Sequence, residues 1–263
     1  MSVLPAAEFD RLAVNFEKIE LKLGAVLYEA GEALRYVYFP ATCIVSLLYV
    51  MEDGKSAKIA VIGNDGIVGI AVFLGGKSMP NRAVVHCAGY AYRLKAQQLM
   101  NEFTRCGGRR SGNLKNILLR YTQDLITQMI QTAACNRHHS VDQQLCRWLL
   151  LSLDRLSSNE LVMTPKLIAD MLGVCREGVT EAAGNLQSAG LISYSRGRIE
   201  VLNKPGLEAR VCECYQTVKT KTKFKRLLPL SFPHDSVGEH AKPEEAVNAN
   251  LLTLTNNRRF PSG

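Results

Sequence analysis

The chain has 263 residues, 47% of them hydrophobic and 21% charged, with a formal net charge of +8 and a pI near 9.1. Such a length allows two small domains or one large one. The balance is that of a globular chain and excludes a fibrous or wholly disordered one. The modest basic surplus suits a polyanion such as nucleic acid or an anionic membrane surface, and is equally ordinary in proteins with neither partner.

The first residues, Met1-Ser-Val-Leu-Pro5, lack the basic segment and apolar run of an export signal. The apolar stretches at 43–51 and 67–74 are too short to span a bilayer, so a cytoplasmic protein is expected. Eight cysteines are present, but only Cys212-x-Cys214 forms a close pair and no second pair stands at zinc spacing. Nor do they cluster as iron–sulfur ligands do. They read as small buried hydrophobes of a reducing compartment, with no metal and no cofactor assigned.

From residue 21 to 94, short apolar runs alternate with turn residues. Runs at 25–28, 36–39, 44–50, 58–62, 83–86 and 91–94 read as strands. Asp53-Gly54 between two of them is a hairpin signal. Many short strands at regular spacing indicate a sandwich or barrel. Helical periodicity starts near Ala96, breaks at Gly107-Gly108 and resumes from about 111 to 134. There Leu114, Ile117, Leu118, Tyr121, Leu125, Ile126 and Met129 recur at three- and four-residue spacing and make an apolar stripe. The stripe either packs on a second copy of itself in a twofold dimer or covers the β domain; the dimer is the reading adopted. A further amphipathic helix covers 141–156, and from Leu230 the composition shifts to that of a disordered tail.

Thr164-Pro165 is a helix start: a hydroxyl cap, then Pro where its missing N–H costs nothing. A short helix at 165–172, Gly173 for the turn and a second helix at about 176–189 form a helix-turn-helix. The small Ala169 permits a close crossing, and Val179 anchors the second helix. Its polar face presents Arg176, Glu177, Thr180 and Glu181 near the N-terminus, the part that meets base edges in this motif. The run 191–202 reads as a hairpin wing tipped by Arg196-Gly197-Arg198. Thr164, Lys166, Ser195, Arg196 and Arg198 are the candidate phosphate contacts. The basic run 219–226 is either a further contact or a solvated face. Cys175 precedes the second helix, where the helix dipole favours a thiolate; redox sensing and a plain structural thiol are its two readings.

Leu167-Ile-Ala-Asp-Met-Leu-Gly-Val174, Arg176-Glu-Gly-Val179 and Ala189-Gly-Leu-Ile192, together with Gly31-Glu32, Tyr36-Val-Tyr-Phe-Pro40 and Glu52-Asp-Gly54, resemble the Crp/Fnr superfamily of bacterial regulators over roughly residues 10–225. The resemblance implies an α+β chain: a jelly-roll, cyclic-nucleotide-binding-like sensor domain at 1–110, a dimerisation helix at 111–139, a winged helix-turn-helix at 140–226 and a tail at 227–263. It implies a homodimer on a palindromic DNA site, with RNA polymerase and an unidentified small-molecule effector as further partners. Cyclic-AMP binders of this family use a Gly-Glu pair for the ribose and an Arg with a following hydroxyl for the phosphate. Here the segments read Gly66-Ile67-Val-Gly69 and Asn81-Arg82-Ala83, so Ile67 replaces the glutamate and Arg82 stands one place out of register without a hydroxyl. Cyclic AMP is therefore not the expected effector. Glu181 stands where relatives with an Arg–Glu–Arg trio carry arginine, so a different half-site is expected. Two rival readings remain: an interaction module whose winged helix does not bind DNA, and a cupin-type enzyme. The second needs several converging histidines, and the barrel holds only His86.

Overall fold

The helix α1 (Ala6–Ala13) stands near the start of the described residues, which are 4–54, 56–105, 113–156 and 158–221 of this computed structural model. The expected tail, and residues 222–226 of the basic run 219–226, lie outside them. Seven strands follow: β1 (Glu17–Leu21), β2 (Val26–Tyr28), β3 (Tyr36–Pro40), β4 (Ile44–Val50), β5 (Ser56–Ile62), β6 (Arg82–Cys87) and β7 (Gly89–Lys95). They form two antiparallel sheets of order β1-β7-β3 and β2-β6-β4-β5. The period of two is visible in the burial: Val37 and Phe39 on β3, and Ala83 and Val85 on β6, face inward. The turn at Asp53-Gly54 joins β4 to β5, with the Gly54 N–H donating to the Met51 carbonyl at 2.9 Å. A single 3₁₀ turn at Ile70–Phe73 interrupts the path from β5 to β6.

After α2 (Ala96–Phe103), the long helix α3 spans Asn113–His138. Its first N–H groups are satisfied from far away: the Glu8 carboxylate accepts from the N–H of Asn113 at 3.2 Å and of Leu114 at 2.9 Å. A negative charge at a helix N-terminus is also favoured by the helix dipole. The apolar stripe of α3 faces into its own chain rather than towards a second copy. Leu114, Ile117, Leu118, Tyr121 and Leu125 are buried within the chain and Met129 is half-buried. Polar side chains on the same face reinforce that seat: the Tyr121 hydroxyl donates to the Ile67 carbonyl at 3.0 Å and the Gln128 amide to that of Val61 at 3.1 Å. The stripe covers the chain's own sheet. The exposed apolar side chains of α3 are instead Leu119, Ile126 and Ile130, at 43%, 49% and 65% exposure. Steps of seven and four put these three on another face of the helix, and Ile126 parts from the stripe it was grouped with.

The second half runs α4 (Val141–Leu153), β8 (Glu160–Val162), α5 (Pro165–Leu172), α6 (Arg176–Ser188), β9 (Ile192–Ser195), β10 (Arg198–Val201), α7 (Lys204–Arg210) and α8 (Cys214–Lys221). Ser140 and Gln143 form a capping box at the start of α4. The core joins Leu145, Trp148 and Leu149 of α4 to Ile168, Val179, Leu186, Ile192, Ile199 and Tyr215. No helix among the described residues is long and apolar enough to cross a membrane.

The two halves meet through the Gly63-Asn64-Asp65-Gly66 turn. Arg155, after α4, pairs with Asp65 at 2.8 Å and is nearly buried. The Asn64 amide donates to the Arg155 carbonyl at 3.1 Å. Both flanking glycines are required by close approach: a Cβ on Gly63 would lie 2.7 Å from Arg155 Cδ, and one on Gly66 2.6 Å from the Tyr121 hydroxyl.

Beside this seam, Lys58, Gln128, Thr132, Gln144 and Arg147 line a small cavity together with Trp148 and the apolar Val61, Leu151 and Leu172. Lys58 is only 7% exposed, and burial pushes its ammonium down from an ordinary value near 10.5 to about 7, helped by Arg147. A depressed folded value means that the native state loses stability as pH falls from 10.5 towards 7. Lys58→Met is therefore expected to stabilise the chain by about 1–3 kcal/mol near neutral pH and by less near pH 10. Thermal melts at both pH values check this, and an equal gain at both would refute the desolvation account.

Candidate nucleic-acid interface

Thr164 caps α5, its hydroxyl accepting the Leu167 N–H at 3.3 Å, and Pro165 occupies the first helical position. Ile168, Ala169, Met171 and Leu172 bury one side of α5. Gly173 then takes φ +69, a left-handed conformation that other residues adopt only at a cost, and so turns the chain into α6. Val179, Ala182, Ala183 and Leu186 hold α6 against the core. A helix so held leaves its other face to solvent, and Arg176, Glu177, Thr180 and Glu181 are all exposed there. Glu177 lies in the first turn, where a carboxylate suits the dipole. The Thr180 hydroxyl donates to the Arg176 carbonyl at 3.1 Å, which leaves its oxygen free to accept.

Gly190, at φ +69, follows α6 and hands the chain to the wing. β9 and β10 pair so that Ser195 faces Arg198, leaving a two-residue turn of Arg196 (φ +48) and Gly197 (φ +78). Two successive positive φ angles make the tight hairpin turn whose twist matches the strands. β8 completes a three-stranded sheet, β8-β10-β9. Its Glu160 takes Arg198 into an ion pair at 2.9 Å. Thr164, Lys166, Ser195 and Arg196 are exposed beside α6. Of the four exposed cations in the group (Lys166, Arg176, Arg196 and Arg198), Arg198 alone has a carboxylate partner among the described residues.

Two further features escape a reading of side-chain chemistry. Gly184 is exposed on the face that Glu177 and Glu181 begin, with open space where a Cβ would project. Glycine inside an exposed helix costs about 1 kcal/mol against alanine, and it permits close approach of another backbone. The periodic step from 177 and 181 to 184 was the available signal. The Gln187 side chain accepts the Tyr194 N–H at 2.7 Å and so ties α6 to the wing.

In the β domain, the residues at 66–69 and 81–83 are engaged within the chain itself. Ile67 and Val68 are fully buried. Arg82 is paired with Glu29 at 2.9 Å, and Asn81 is buried with its amide donating to the Tyr28 hydroxyl at 3.2 Å. These residues do not offer the ribose carboxylate or the free arginine that a cyclic phosphodiester needs. His86 is buried too, hydrogen-bonded to Ser46 at 2.6 Å and pushed down to about 3 by burial. The one group of potential metal ligands among the described residues lies elsewhere and does not include it. Cys175 is exposed as the residue before α6, while Cys43, Cys87 and Cys146 have thiols pushed up by burial to about 12, 12 and 11.

Two family models match the chain in order: the cyclic nucleotide-binding domain at residues 18–106 and the Crp-like helix-turn-helix domain at 143–210. The global nitrogen regulator of Synechococcus elongatus is 24% identical over 208 residues, which span 75% of this chain and 90% of that protein. Among solved structures, a crp/fnr-family transcriptional regulator from Eubacterium rectale superposes with a TM-score of 0.61 at 15% identity, over 81% of this chain and 95% of that one. FixK2 of Bradyrhizobium japonicum gives 0.59 at 17%, over 75% and 98%. These matches point to transcriptional regulators rather than enzymes, and regulators of this group bind DNA and form dimers. With a cyclic-nucleotide-type sensor domain ahead of a DNA-binding winged helix, the chain belongs to the Crp/Fnr superfamily of transcriptional regulators.

Proposed function

We propose that the protein acts in the cytoplasm as a homodimer reading an inverted-repeat site, one α6 in each of two successive major grooves. The observation that carries this is the exposed N-terminal half of α6, held rigidly by Val179 and Leu186 and flanked by the wing. Arg176 is placed to donate two hydrogen bonds to a guanine edge, Glu177 and Glu181 to accept from cytosine amino groups, and Thr180 to meet a base or a phosphate. Thr164, Lys166, Ser195 and Arg196 contact the phosphates; Arg198 joins them by leaving Glu160. The protomers pair through the exposed α3 face of Leu119, Ile126 and Ile130, a side of the helix left uncovered by the sensor domain. RNA polymerase is the downstream partner. The sensor domain answers to an effector other than cyclic AMP, because Ile67 and the paired Arg82 remove the phosphodiester site.

Capture and sequencing of genomic fragments tests the reading, using the full chain and its Arg176→Glu variant. The wild type should enrich an inverted repeat, the variant should lose it while keeping its thermal midpoint, and added cyclic AMP should change neither result. Enrichment without two-fold symmetry, or enrichment that survives Arg176→Glu, would refute the proposed mode of recognition.

A further inference from the structure

Cys135 and His139 stand one turn apart near the C-terminal end of α3, on the same face. Cys212 lies in the link between α7 and α8, and Cys214 is the first residue of α8. The fold brings these four side chains together although 77 residues separate Cys135 from Cys212. One ligand atom from each, three sulfurs and a ring nitrogen, all lie within 4.8 Å of one another. Cys135, Cys212 and Cys214 are buried at 0%, 4% and 1% exposure, and His139 is half-buried.

We propose that this cluster is a tetrahedral zinc site of the Cys₃His type, which fastens the end of α3 to the start of α8. Two distances carry the assignment. A tetrahedral zinc with Zn–S near 2.3 Å and Zn–N near 2.0–2.1 Å sets ligand edges of about 3.8 Å for S···S and about 3.5 Å for S···N. The Cys135 and Cys212 sulfurs are 3.7 Å apart, and the Cys214 sulfur is 3.5 Å from His139 Nδ1. An iron–sulfur cluster places several atoms between its ligands and needs them wider apart.

The surroundings supply what such a site requires. With Nδ1 facing the metal, His139 Nε2 donates to the Glu213 carboxylate at 3.3 Å, an arrangement that fixes the tautomer and orients the ring. The Gln131 amide donates to the Cys214 sulfur at 3.0 Å, as a second-layer donor to a thiolate does. Binding one Zn²⁺ to three thiols and a neutral imidazole releases three protons and leaves a net charge of −1, and Arg147 is near enough to act electrostatically on Cys135. Four protein ligands and near-complete burial make a closed, structural site with no open position for substrate. A Cys135–Cys212 disulfide would leave Cys214, His139 and Gln131 unexplained.

The test uses the full chain, purified without chelators or a metal-affinity step and kept reduced. Elemental analysis should find one zinc per chain. After removal of the zinc, one equivalent of Co²⁺ should give the intense visible bands and sulfur-to-metal charge transfer of a tetrahedral thiolate site, and Zn²⁺ should displace it. Cys135→Ser and Cys214→Ser should lose that spectrum, His139→Cys should keep binding with stronger charge transfer, and Cys175→Ser should match the wild type. The thermal midpoint should fall by several degrees on zinc removal. Retention of the cobalt spectrum in a natively folded Cys135→Ser/Cys214→Ser double variant overturns the proposal. So does substoichiometric metal in the reduced wild type, iron with labile sulfide in its place, or a thiol count showing Cys135 and Cys212 oxidised together.

Discussion

Asp65→Ala should lower the stability of the chain by about 3 kcal/mol, far more than the removal of a surface carboxylate. Arg155 is the reason. Its guanidinium is about 5% exposed, donates to the Asp65 carboxylate at 2.8 Å through Nη2 and at 3.1 Å through Nε, and donates through Nη1 to the Leu151 carbonyl at 2.8 Å. Removing the carboxylate leaves a buried cation with only a carbonyl to face, and that uncompensated charge dominates the cost. The pair joins the sensor domain to the end of α4, so the loss falls on the seam between the two halves. Asp65→Ala/Arg155→Met should recover most of the stability, because the double change removes the stranded charge along with its partner. Chemical denaturation of the three variants decides the matter. A single-variant cost under about 1 kcal/mol, or a double variant weaker than the single one, would show that the pair is solvated and the seam is held by packing alone.

How far the sequence foretold these contacts depended on how local each signal was. The helix-turn-helix was legible because Thr164-Pro165, Gly173 and Gly190 each act on their immediate neighbours: a cap, a left-handed turn, a helix stop. The strands from β2 to β7 were legible through their apolar runs and intervening turns, whereas β1 was not read as a strand and the three-residue β8 is too short to leave a period. Missing β8 concealed Glu160, and with it the ion pair that engages Arg198. On α3 two faces are apolar, and periodicity could not say which one the chain itself would cover. Packing decided it, through Tyr121 on the Ile67 carbonyl and Gln128 on that of Val61. The Glu8 cap of α3, 106 residues upstream of Leu114, and the meeting of Cys135 and His139 with Cys212 and Cys214 are products of topology. No local pattern carries them. Ile67 and Arg82 form the opposite case, where departures from a family pattern visible in the sequence correspond to a buried segment and an occupied guanidinium.

On DNA, Arg176→Ala and Arg196→Ala should fail in different ways. Both residues are exposed and neither belongs to the core, so both variants should keep the wild-type thermal midpoint within about 1 °C, as surface substitutions do. Arg176 lies in the first turn of α6, the end proposed to read base edges, and a bidentate contact to guanine is worth about 1–3 kcal/mol of discrimination. Arg176→Ala should therefore weaken binding to the cognate site roughly 5- to 150-fold and relax preference at one base pair of each half-site, with little change on unrelated DNA. Arg196 sits at the tip of the wing, and its proposed role is a phosphate contact that carries no base code. Its loss should weaken cognate and unrelated DNA alike and reduce the salt slope of log K by about 1 per contact removed. Titrations of both variants against a cognate and a scrambled duplex, each at several salt concentrations, separate the two roles. Uniform weakening by Arg176→Ala would demote that residue to a phosphate contact and move the specificity of this regulator onto Glu177, Thr180 and Glu181.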